Sequence, residues 1–101
     1  MPNRLVITEP RAGVVGLHGE IDVHSAPTFA ARFDILPAGT DDIVIDMTEV
    51  TFMDSSGLRV LLDVHQRAAD ASRGLVLLRP SDSVMRLLEI SGLGDHFTIG
   101  G

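Results

Sequence analysis

A strand, helix, strand succession in the middle of the chain limits the fold more than any other feature. Ile43-Val44-Ile45 is a β-branched run without polar alternation, and Leu75-Val76-Leu77-Leu78 is apolar throughout. Unbroken runs of this kind predict strands covered on both faces, as in parallel sheets, because a half-exposed strand alternates apolar with polar. Between them, Leu58 to about Ser72 carries Leu58, Leu61, Leu62, His65, Ala68 and Ala69 along one helical stripe. Parallel neighbours need a crossover of that length, and such crossovers are right-handed. Arg59, Asp63 and Arg67 stand at successive spacings of four, which predicts ion pairs on the outer face. Gly74 is placed to end the helix.

The pattern continues on both sides. Leu5 to Thr8 predicts a strand, Glu9-Pro10-Arg11-Ala12-Gly13 a turn, and Val14 to Gly19 a second strand, together a hairpin. Ser25 is a candidate cap for a first helix with Pro27 in its opening turn, apolar at Phe29, Ala30, Phe33 and Leu36, and ended by Pro37-Ala38-Gly39. Asp46 is expected to close the strand of Ile43. Ser81-Asp82-Ser83 is expected to cap a third helix with Val84, Leu87 and Leu88 inward and Ser91-Gly92-Leu93-Gly94 at its end, before a last strand at Phe97-Thr98-Ile99. The expected class is α/β: one compact domain over residues 1–101, a mixed, mostly parallel β-sheet with an N-terminal antiparallel hairpin and helices packed on it. The length of 101 residues suits one core.

Composition narrows the function. With a net charge of -6, the chain is a poor partner for nucleic acid, whose binders carry a basic face. Its four aromatic residues are all Phe, which offers no stacking platform. The absence of cysteine excludes disulfides and thiolate metal sites. His18, His24, His65 and His96 are scattered in sequence and form no metal-ligand spacing, so no metal site is expected. Met1-Pro2-Asn3-Arg4 leads directly into an apolar run without a leader pattern, and no stretch of about 18 apolar residues occurs, which predicts a cytoplasmic protein without membrane contact.

The chemistry-bearing segment is Asp54-Ser55-Ser56-Gly57, where an extended stretch turns into the best helix. A helix start exposes N–H groups without helical acceptors and favours anions, so a phosphate on a hydroxyl there would be tolerated by the fold. Ser55 and Ser56 also suit ordinary capping; Asp54 and Asp46 suit bracing of turns, as does Asp22 ahead of the first helix. Gly57 would permit close backbone approach. A serine hydrolase using Ser56 is disfavoured, since the Gly-x-Ser-x-Gly elbow is missing and about 100 residues leave little wall for a small-molecule cleft.

Val50-Thr51-Phe52-Met53-Asp54-Ser55-Ser56-Gly57-Leu58 resembles the phosphorylation loop of the STAS domain family, in particular the bacterial anti-sigma factor antagonists. Gly19-Glu20-Ile21-Asp22, Ile43-Val44-Ile45-Asp46, Leu88-Glu89-Ile90-Ser91-Gly92-Leu93 and Phe97-Thr98-Ile99 are similar to further family segments in the same order. The resemblance implies a binding protein rather than an enzyme. Its unphosphorylated form would bind an anti-sigma factor that is also an ATP-dependent serine kinase and so release a sigma factor. Phosphorylation of the second serine, Ser56, would abolish binding, and a metal-dependent serine phosphatase would restore it. Asp22, Asp54, Ser55, Ser56, Gly57, Leu58 and Arg59 are the expected partner-binding residues. Family members often continue into a further helical segment where this sequence reaches Gly100-Gly101, so contacts of such a tail fall outside the expectation. The alternative is a STAS module serving a transport or stress-sensing complex without a sigma factor.

Overall fold

In the computed structural model, which describes residues 5–101, the apolar runs form five strands and three helices. Their order is β1 (Leu5–Arg11), β2 (Val14–Ile21), α1 (Ala26–Arg32), β3 (Ile43–Met53), α2 (Ser55–Asp70), β4 (Leu75–Leu78), α3 (Asp82–Ile90) and β5 (Thr98–Gly100). The opening Met1 to Arg4, read above for the absence of a leader, lies outside the described residues. The strands lie in the order β1-β2-β3-β4-β5, with β1 antiparallel to β2 and all other neighbours parallel. This is the mixed sheet with an N-terminal hairpin that the sequence predicts.

The hairpin is tighter than expected: β1 runs through Glu9 and Pro10, and the chain reverses at Ala12 and Gly13. Gly13 adopts φ +80°, the left-handed region that side chains resist. Pro10 is tolerated because β1 is an edge strand and the ladder is irregular between Thr8 and Arg11.

Val15, Leu17, Ile43, Ile45, Met47, Leu75 and Leu77 share one core with Phe29 and Phe33 of the α1 region, Leu58, Leu61, Val64 and Ala68 of α2, and Val84 and Leu88 of α3. The helices therefore cover one face of the sheet, and the expectation of strands covered on both faces is corrected. Val14, Val44 and Val76, in register across β2, β3 and β4, take the alternate positions and are half-buried. Their β-branched side chains suit a pleated surface without a helix above them, which is why the runs read as doubly covered.

Three boundaries also differ. Asp46 ends the pairing of β3 with β4, yet β3 continues to Met53 against β2 alone. Helix α1 ends at Arg32, capped by Phe33, well before Pro37; the connection beyond it is held by Arg73, whose guanidinium donates to the carbonyls of Pro37 and Asp41. Helix α2 ends at Asp70 rather than Gly74. There Arg73 N reaches Ala68 O at 2.8 Å with Ser72 at φ +59°, and Gly74 instead makes room for Asp42, whose Oδ1 accepts its N–H. On α2, Val64 is buried and Ala69 exposed, whereas the stripe read from sequence placed Ala69 inward. Helix α3 stops at Gly92, φ +74°, with Leu93 N on Leu88 O at 2.8 Å. Ser81 sits at its N-cap without a side-chain cap bond.

Candidate functional site

Parallel pairing brings the carboxyl ends of β2 and β3 together, with Ile21 opposite Met53. The loops that follow, and the helices they open, therefore emerge at one edge of the sheet, the usual place for a binding site in such folds. Asp54 N donates to Ile21 O at 3.1 Å and ties one loop to the other. Asp22 and the Asp54-Ser55-Ser56 turn are thus neighbours.

Asp54 is the N-cap of α2. Its backbone is extended, at φ -108° and ψ -171°, and its Oδ1 accepts the Ser56 N–H at 2.8 Å. Its carbonyl accepts from Gly57 N at 3.1 Å and Leu58 N at 3.2 Å. The expected set of free N–H groups at this turn is accordingly corrected: Asp54 occupies the donors of three successive residues. Since Asp54 does the capping, Ser55 and Ser56 are left as the first two helical residues, and neither hydroxyl makes a hydrogen bond among the described residues. Ser55 is exposed and Ser56 half-buried.

Gly57 and Leu58 face inward. A Cβ on Gly57 would lie 2.6 Å from Met53 Cγ and 2.7 Å from Ile21 Cγ2, so this turn packs directly onto the ends of β2 and β3. Leu58 is 6% exposed and belongs to the core. Both are expected in the partner face from sequence; the structure places them instead as the inner support of the turn. Arg59 is exposed. It does not form the expected pair with Asp63, whose carboxylate meets Arg67 at 3.6 Å.

Asp22 is built into its own turn. Oδ1 accepts from His24 N at 2.9 Å and Ser25 N at 3.1 Å. Ser25, read as a side-chain cap, is buried, and its Oγ donates to Glu20 O at 2.8 Å while accepting from Asp22 N at 3.0 Å. Ser25 is therefore the N-cap residue of α1 without a side-chain cap bond, and Asp22 braces the turn that leads into the helix. Asp46 plays a similar bracing part: Oδ1 accepts from Thr48 Oγ1 at 2.6 Å and Thr48 N at 3.0 Å. Burial opposes its ionisation, but the two Thr48 bonds, with Arg79 and His18 nearby, outweigh that and hold the carboxyl below its ordinary range.

Two features escaped the sequence reading. An open cleft of about 320 Å³ separates α1 from α2 beside the serines. Val23, Ala26, Pro27 and Ala30 form one wall; Ser55, Ser56, Arg59 and Val60 form the other. Val23 is 64% exposed at its mouth. The small residues Ala26 and Ala30, one helical turn apart, are the signal that could have found it. The second is a contact between His65 and His96, whose rings lie 4.6 Å apart against Phe97, although the histidines are scattered in sequence. Among the described residues no group of three or more His, Asp or Glu is placed to hold a metal, and no helix is long and apolar enough to cross a membrane.

The family model for the STAS domain matches residues 3–100. The anti-sigma-B factor antagonist of Listeria monocytogenes is 37% identical over 82 residues, which cover 80% of this chain and 72% of that protein. The protein of the same description from Bacillus subtilis is 35% identical over 85 residues, covering 84% and 78%. Among solved structures, the anti-sigma factor antagonist SpoIIAA in its unphosphorylated form superimposes with a TM-score of 0.75 at 24% identity, over 97% of this chain and 89% of that one. An anti-sigma factor antagonist from Mycobacterium paratuberculosis gives a TM-score of 0.75 at 22% identity, over 98% and 86%.

Proposed function

This chain belongs to the STAS domain family, and from that membership we propose that it is an anti-sigma factor antagonist, a protein that acts by binding and is switched by phosphorylation of Ser56. The unphosphorylated form binds an anti-sigma factor and so frees a sigma factor. The anti-sigma factor is itself a serine kinase that uses ATP, and a metal-dependent phosphatase returns the protein to its binding form. The chain's own part requires no cofactor.

One observation supports this reading above the rest: Asp54 caps α2 and so leaves the hydroxyls of Ser55 and Ser56 without hydrogen bonds among the described residues. A hydroxyl that caps a helix would lose its bond on modification, at a cost of about 1 kcal/mol; this one has none to lose. The turn rests on the core through Gly57 and Leu58, so the fold can carry a group of about -1.5 to -2 charges without rearranging. A partner fitted to the neutral serine would have to bury that charge close to Asp54 and Asp22.

The test is to incubate the protein with an anti-sigma factor kinase of the same organism and magnesium-ATP, then map the product by mass. One phosphate on Ser56 is expected. No phosphate, or one on another residue, overturns the assignment.

A further inference from the structure

A phosphate on Ser56 lacks most of the N–H partners that a helix start ordinarily offers. The N–H groups of Ser56, Gly57 and Leu58 are bound by Asp54, and the Asp54 carboxylate adds a like charge beside the site. The compensating cation has to come from a side chain.

Arg59 is placed to supply it. It stands three residues beyond Ser56, where helical neighbours lie about 5–6 Å apart at Cβ, and it lines the same cleft. Long side chains on a helix lean toward its N-terminus, which carries the guanidinium toward Ser56. Arg59 is exposed and has no ion pair among the described residues, because Arg67 holds Asp63. Among the described residues no other that lines the cleft is charged.

We propose that Arg59 is the built-in counter-ion of phosphoserine 56. In the modifying step the Ser56 Oγ–P bond forms as the bond between the γ-phosphorus of ATP and its bridging oxygen breaks; ADP departs, and the hydroxyl proton passes to a base of the kinase. The guanidinium fork then takes two phosphate oxygens. The inference rests on Ser56 as the modified residue and adds a second action of the phosphate. Besides introducing negative charge, it withdraws the positive charge that the free form presents beside the serines.

The test uses full-length protein with phosphoserine installed at position 56 by genetically encoded incorporation, so that no kinase is involved. Phosphorus NMR follows the second ionisation of the phosphate, which lies near pH 6 in an unpaired phosphoserine. With Arg59 present the midpoint is expected at least about half a unit below that of Arg59→Gln, since an adjacent cation favours the dianion. Arg59→Lys should fall between them, retaining charge but not the fork. The thermal midpoint of the phosphorylated protein should also drop further on Arg59→Gln than that of the unphosphorylated protein. Equal NMR midpoints with and without Arg59 overturn the inference. If the midpoints differ but no kinase modifies Ser56, the proposed function fails while the pairing stands; if Ser56 is modified and the midpoints coincide, only the pairing fails.

Discussion

Gly57→Ala tests whether the serine turn is seated on the core. The added Cβ would meet Met53 Cγ at 2.6 Å and Ile21 Cγ2 at 2.7 Å, against about 3.5–4.0 Å for comfortable carbon contacts. Both neighbours are buried, Ile21 completely, and the β-branched Ile21 has little rotamer freedom to yield. Overpacking of this kind costs about 1–3 kcal/mol. With two contacts under 3.0 Å the cost lies in the upper part of that range, about 2–3 kcal/mol; alanine recovers up to about 1 kcal/mol over glycine in a helix, which leaves a net loss of roughly 1–2 kcal/mol. For a domain of this size that lowers Tm by at least about 4 °C, read by thermal denaturation with circular dichroism. Gly94→Ala is the control: its Cβ would meet nothing within 4 Å, so it should hold Tm or raise it slightly. If Gly57→Ala is as stable as the wild type, the close seating of the turn is wrong.

Asp22→Ala should weaken binding of the anti-sigma factor and also cost about 1 kcal/mol in urea denaturation, because Oδ1 accepts the His24 and Ser25 N–H groups; Asp22→Asn, which retains that oxygen, should restore most of the stability. A variant Asp22→Ala as stable as the wild type would remove the bracing role. Asp46 contributes stability because its folded carboxyl ionises more readily than the ordinary value of about 3.9 in the unfolded chain. That contribution is complete above the unfolded value and disappears as pH falls through the lower folded one. The stability advantage of wild type over Asp46→Asn should accordingly be largest near pH 7 and shrink below about pH 4. A gap that widens on acidification would contradict the sign.

Where physical signals are local, the sequence was readable. Unbroken apolar runs marked β4 and the first part of β3, the stripe from Leu58 marked α2, and Gly13 and Gly92 marked reversals that need left-handed backbone. The second half of β3 was not, since Thr48, Glu49, Thr51 and Phe52 are exposed beyond the end of β4 and carry no apolar run. Coverage of the sheet also misled: Val44 and Val76 are β-branched on a face that no helix covers. At the site, the serine turn and its neighbouring Asp22 loop were legible, but the division of labour was not. Ser25 and Ser56 resemble side-chain caps in sequence; that Asp54 caps α2 and Asp22 braces the turn before α1 depends on backbone angles that bring their carboxylates onto the following N–H groups. The cleft arises from the separation of α1 and α2, which no local pattern encodes.

The most direct measurement compares wild type, Ser56→Ala and Ser56→Asp by calorimetric titration against the anti-sigma factor of the same organism, with the thermal midpoint of each variant taken alongside. Ser56→Ala should bind about as tightly as wild type. For Ser56→Asp the three midpoints should agree within a few degrees while affinity falls more than about a hundredfold, the effect of a penalty of ~3 kcal/mol. Wild-type affinity in Ser56→Asp, or loss of binding that merely follows loss of the folded state, would contradict a switch that changes the surface and spares the fold.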